Sequence, residues 1–75
     1  MNFELLKARK ESKLTQEELA NLASIERNRY SRIELGKTKA NIEEALKLAI
    51  VLNKKADEIF LVMNADNISK NKQSA

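Results

Sequence analysis

The sequence predicts an all-α fold, a compact five-helix domain in which helices two and three form a helix-turn-helix. Three observations carry that reading. One glycine and no proline in 75 residues leave little material for hairpins. No run of β-branched residues suggests a strand. Apolar residues recur at helical spacing between residues suited to helix caps. A chain of this length makes one domain with a small core, near the size where a single core is only marginally stabilising. The expected division is a domain over residues 1–63 and a polar tail, expected to be disordered, over 64–75.

Helix one is expected from about Phe3 to Ser12, with Phe3, Leu6 and Lys10 on one face and Leu5 and Arg9 beside it. Thr15 and Glu18 then have the spacing of a capping box, in which the hydroxyl takes the Glu18 amide and the carboxylate returns to the Thr15 amide. Helix two follows from Gln16 to Ala23, with Leu19, Ala20, Leu22 and Ala23 facing inward. Ser24 and Ile25 form the turn. Helix three runs from Arg27 to Leu35, and at about 100° per residue Tyr30 and Ile33 face one side. Arg27, Asn28, Ser31 and Arg32 fan across the other. Gly36 stands where a left-handed cap wants glycine. Asn41 is the expected N-cap of helix four, whose wide apolar face comprises Ile42, Ala45, Leu46, Ala49, Ile50 and Leu52. Helix five, from Ala56 to Val62, supplies Ile59, Phe60 and Met63.

The charge pattern points to a partner. Residues 27–39 hold Arg27, Arg29, Arg32, Lys37 and Lys39 against the single acid Glu34, a net +4. The whole chain carries only +3, so the remainder sums to −1. A short basic helix held at a fixed angle by a second helix is how a small domain enters the DNA major groove. Other chemistry is excluded or poorly served. Without cysteine there are no disulfides or thiolate metal sites, and without histidine the commonest general base and transition-metal ligand are missing. No glycine-rich phosphate loop is present. The expectation is a non-enzyme with no cofactor and no metal. No apolar stretch approaches the length of a membrane span, and residues 1–4 lack a signal-peptide pattern, so a soluble cytoplasmic protein is expected.

The run Leu14-Thr15-Gln16-Glu17-Glu18-Leu19-Ala20, then Ile25 and Ser31-Arg32-Ile33-Glu34-Leu35-Gly36-Lys37, resembles the Cro and phage-repressor (Xre-like) helix-turn-helix family. Leu6, Arg9, Leu46, Ala49, Leu52, Ile59 and Phe60 extend the resemblance over residues 3–61. It implies five helices, with the second and third as the reading unit, and a symmetric dimer on DNA. It implies that Arg27, Asn28 and Arg32 face base edges, and that Gln16 contacts phosphate while bracing helix three. Lys37 is implied to touch the backbone, and Arg9 to pair with Glu34. The chain departs from the family at four places. Lys13 and Ser24 stand where glycine is usual, Ala40 where proline is often found (a looser loop), and Glu26, a poor capping residue, where serine or threonine is usual.

Arginine suits base reading because its planar fork matches guanine O6 and N7, and asparagine pairs with adenine in the same way. The bland alternative is that one or two of the three touch only phosphate. Arg29 lies nearer the buried side, so phosphate contact or pairing with a helix-two carboxylate is expected. Ser31 donates to phosphate or is simply solvated, and Lys37 and Lys39 contact phosphate or line a solvated loop. Tyr30 reads as core. Glu43, Glu44, Lys47 and Lys54 read as solvated faces. Leu35 points outward, toward a thymine methyl or sugar or merely into solvent. Ile59, Phe60, Val62 and Met63 either form a dimer seam or close the monomer core.

The function these expectations converge on is a DNA-binding transcriptional regulator, a repressor for preference, acting as a homodimer on a pseudo-palindromic operator. A regulatory protein partner is compatible with so short a chain, which has no room for a ligand-sensing domain. The competing reading is a protein-interaction module, such as an antitoxin or accessory factor, that uses the fold without reading DNA.

Overall fold

The computed structural model describes residues 1–60, which form α1 (Phe3–Glu11), α2 (Gln16–Leu22), α3 (Arg27–Leu35), α4 (Ile42–Leu52) and α5 (Ala56–Ile59). Each helix starts where a side chain satisfies amides that the helix itself leaves unpaired. The Asn2 Oδ1 accepts from the Leu5 amide at 3.0 Å. Thr15 and Glu18 form the expected reciprocal box, at 3.0 and 2.8 Å. Asn41 and Glu44 form a second one, at 2.7 and 2.9 Å. At α5 the Glu58 carboxylate accepts from the Lys55 amide at 2.8 Å.

Glu26 is a better cap than its residue type suggested. Its two carboxylate oxygens accept separately from the Asn28 and Arg29 amides, at 3.1 and 3.0 Å, because the extra methylene lets one side chain span both. The turns also follow from local chemistry. Lys13 and Ser24 adopt φ of 59° and 57°, the left-handed region that glycine would occupy more cheaply. The turn after α2 still closes, with the Ile25 amide donating to Ala20 at 2.8 Å. Gly36, at φ 82°, ends α3, and the Lys37 amide donates back to Arg32 at 2.9 Å.

The core is built around Leu5, Leu19, Tyr30 and Leu48, all fully buried, with Ala20 at the approach of α2 and α3. Three expected faces are corrected. On α1 the inward stripe is Leu5 and Ala8, and Phe3 is 69% exposed. On α2, Leu22 turns outward, because Leu19, Ala20 and Ala23 already cover the contact. On α4 only half of the apolar surface is used: Ala45, Leu48, Ala49 and Leu52 are buried, while Ile42, Leu46 and Ile50 are exposed. A helix seated from one side buries one stripe, and this helix carries two. Ala40, in the loop before α4, packs into the core.

The α5 helix stops at Ile59, short of the expected Val62. Ile59 is only 3% exposed and sits in the core of the chain, and Phe60 packs half-buried against the same core. Val62, Met63 and the tail over 64–75 lie outside the described residues. Asn2, unremarkable in sequence, acts as a clip: its amide donates to Glu34 O at 2.9 Å, and its carboxamide donates to Ile59 O at 3.1 Å. One residue thus ties the start of α1 to the ends of α3 and α5. No helix among the described residues is long and apolar enough to cross a membrane.

A Cβ at Gly36 would stand 2.9 Å from the Met1 nitrogen, on a backbone that side chains already disfavour. Gly36→Ala should therefore lower stability by about 1–2 kcal/mol in urea unfolding. Lys13→Ala, which exchanges one non-glycine for another at positive φ, should move it by less than about 0.5 kcal/mol.

Candidate nucleic-acid interface

One buried carboxylate organises the site. Glu34, near the end of α3, is 3% exposed and the only buried charged or polar residue among those described. Arg9 of α1 donates to it twice, Nε to Oε2 at 2.8 Å and Nη2 to Oε1 at 3.2 Å. Gln16, the first residue of α2, donates from Nε2 to Oε1 at 2.8 Å. The Tyr30 hydroxyl donates to Oε2 at 2.5 Å. Arg9 also donates Nη1 to Leu14 O at 2.9 Å, which pins the turn before α2. Burial pushes the Glu34 carboxyl up, but donors from Arg9, Tyr30 and Gln16 outweigh it and hold the group below the usual carboxylate range. Burial and the adjoining carboxylate push the Tyr30 hydroxyl well up, so it remains a donor. The hydrogen bond to Glu34 raises Arg9.

The consequence is a fixed angle. α1, α2 and α3 each contribute a side chain to one charge, so α3 cannot rotate on α2 without unpairing it. Gln16 is turned toward Glu34 with its amide nitrogen engaged, so the bracing half of its expected role is visible in the hydrogen bonds.

The face of α3 opposite Tyr30 and Ile33 carries the other candidates. Arg27, Asn28 and Arg32 are exposed and Ser31 is half-buried beside them. Arg27 lies 3.7 Å from Glu17 of α2, a pair whose side chains are both largely exposed and therefore only loosely held. Leu35 is 42% exposed on the outer side. Lys37 and Lys39 are exposed in the loop that follows.

Arg29 is placed differently from its neighbours. Its Nε and Nη2 donate to the two carboxylate oxygens of Glu44, at 2.5 and 2.8 Å, in a bidentate pair. The partner is on α4, not on helix two as expected, and Glu44 is a linking group instead of a solvated face. The same carboxylate caps α4 through the Asn41 amide. The bond from Arg29 holds the Glu44 carboxyl below its usual range, and the same bond raises Arg29. Two of these partners left a trace in the sequence. Tyr30 and Glu34 are four apart on one helix, and Asn41-x-x-Glu44 has capping-box spacing.

Two short helices locked at one angle, the second showing a row of cationic and amide side chains, define a helix-turn-helix DNA-binding domain. The chain belongs to the helix-turn-helix family HTH_3, of Cro and phage-repressor type, whose profile matches residues 5–59. It is accordingly a DNA-binding helix-turn-helix regulator. No curated protein and no solved structure gives a significant match.

Removing one member of the Glu34 network should be costly in proportion to the charge left behind. Glu34→Gln strands the Arg9 guanidinium and should destabilise by about 3 kcal/mol. Tyr30→Phe deletes one donor to a charged acceptor and should cost about 1.5 kcal/mol. The pH dependence has a definite sign. Because the folded carboxyl lies lower than the unfolded one, its contribution is complete above the ordinary glutamate pKa of about 4.3 and is lost as pH falls through the lower folded value. Thermal unfolding of wild type and Glu34→Gln between pH 7 and pH 2.5 should show their difference shrinking on the acid side.

Proposed function

We propose that this protein is a sequence-specific transcriptional regulator that binds a pseudo-palindromic operator as a homodimer, with α3 in the major groove. One observation supports it above the rest. The cations of residues 27–39 divide into one that is used internally, Arg29, and others that face outward together from a helix whose angle the Glu34 network fixes. In this reading Arg27, Asn28 and Arg32 meet base edges. Ser31, Lys37 and Lys39 meet phosphates, joined by the free amide hydrogen of Gln16. Arg29 keeps Nη1 for a phosphate while Glu44 holds its other two nitrogens. Repression follows most simply, by occlusion of the promoter, and the protein would act in the cytoplasm where its DNA lies. It needs no cofactor and performs no catalysis.

The test separates the two kinds of contact. Arg32→Ala should lose about 1–3 kcal/mol on the operator selected from fragmented source DNA, and should relax preference at one base pair. Lys37→Ala should weaken operator and random DNA alike and reduce the salt slope by about one. Equal losses from both substitutions on both DNAs would refute base reading by α3.

A further inference from the structure

An acid stands at the leading end of the basic helix, and DNA binding so far gives it no task beyond capping. Glu26 is exposed beside Arg27 and Asn28, and its carboxylate lies across the first turn of α3. Its Oε2 accepts from the Asn28 amide at 3.1 Å and its Oε1 from the Arg29 amide at 3.0 Å. A carboxylate offers about four lone-pair sites, so roughly two stay unused. No cation among the described residues forms an ion pair with it. Its neighbour Arg27 lies 3.7 Å from Glu17 on α2 instead.

Unpaired amides at a helix start attract phosphate. Here Glu26 fills two of them and adds its own negative charge. The leading end of α3 therefore turns away the DNA backbone and suits a hydrogen-bond donor. In the major groove only two base groups donate, cytosine N4 and adenine N6. They differ in what stands beside the donor. Adenine sets its N7 acceptor next to N6, where a carboxylate oxygen is repelled. Guanine offers only acceptors, and thymine an acceptor and a methyl group. Cytosine alone presents a donor with no acceptor beside it on the same base. The guanine opposite it presents O6 and N7, which suit the fork of Arg27. Adjacent side chains of opposite sign thus match the two halves of one C·G pair, or of neighbouring pairs.

We infer that Glu26 is a specificity-determining residue, accepting a hydrogen bond from the N4 amino group of a cytosine in the operator. The two amides hold its carboxylate in place before DNA arrives, so little freedom is lost on contact. This role rests on α3 lying in the major groove, where the leading residues of a recognition helix meet base edges.

Selection of binding sequences from randomised DNA by the full chain tests it, with Glu26→Ser as the first variant. Serine also caps helices well, so the helix start survives while the carboxylate is gone. Wild type should select cytosine at one position and bind it about tenfold or more tighter than thymine there. Glu26→Ser should lose that preference and keep the others, with helical content unchanged. Glu26→Gln, which exchanges one oxygen for a donor, should lose it too. Arg32→Ala is the control, because Arg32 lies six residues on, about 9 Å along the helix axis, and meets a different base pair. If Glu26→Ser and Glu26→Gln select the wild-type sequence while Arg32→Ala relaxes one position, Glu26 is a cap alone and α3 still reads bases. If none of the three changes any preference, base reading by α3 fails and the role of Glu26 falls with it.

Discussion

A single buried carboxylate sets the geometry of this domain. A buried charge is unfavourable unless its lone pairs are taken up, and Glu34 is satisfied only when Arg9, Gln16 and Tyr30 all reach it. Those donors come from three different helices. Apolar packing alone tolerates small rotations, since one methyl can replace another at little cost. Charge-assisted hydrogen bonds do not tolerate them. The core brings α1, α2 and α3 together, and the Glu34 network selects one mutual orientation among the several that the core would accept.

Arg29 and Glu44 extend the same logic to α4, at the opposite edge of the recognition helix. Their pair ties α3 to the start of α4 while Glu44 also closes the α4 cap. The recognition helix is thus held on one side by a buried ion pair and on the other by a half-exposed one. A count of basic residues along the chain overstates the charge offered to a ligand, because Arg9 and Arg29 are engaged within the fold. What remains outward is concentrated on α3 and the loop after it.

Much of this was legible in the sequence because it is local. Thr15 with Glu18, Gly36 and the left-handed need at Lys13 and Ser24 are decided within a few residues, and the helix boundaries followed from them. The inward face of α3 was legible too, since Tyr30 and Ile33 stand alone among polar neighbours. What could not be read depends on where a helix lies. Nothing within α4 distinguishes Leu48 from Leu46; only the position of its neighbours buries one and exposes the other. Phe3 shares a face with Leu6 in the sequence pattern, yet it is exposed while Leu5 and Ala8 are buried. Arg29 was expected on a phosphate or on an acid of the preceding helix, and its internal partner lies 15 residues onward. The capping power of Glu26 was hidden by its residue type, since its reach matters more than its average preference.

The density of local caps has a kinetic side. Every helix in the described chain is started by a bond spanning two or three residues, so the elements can begin to form before distant segments meet. Chains dominated by such short-range contacts fold in microseconds to milliseconds. The long closures, Arg9 to Glu34 and Asn2 to Ile59, then join pieces that are already shaped. In a nascent copy these five helices would assemble almost as soon as α5 leaves the ribosome, and the delay before the domain can act would be set by encounter and not by maturation.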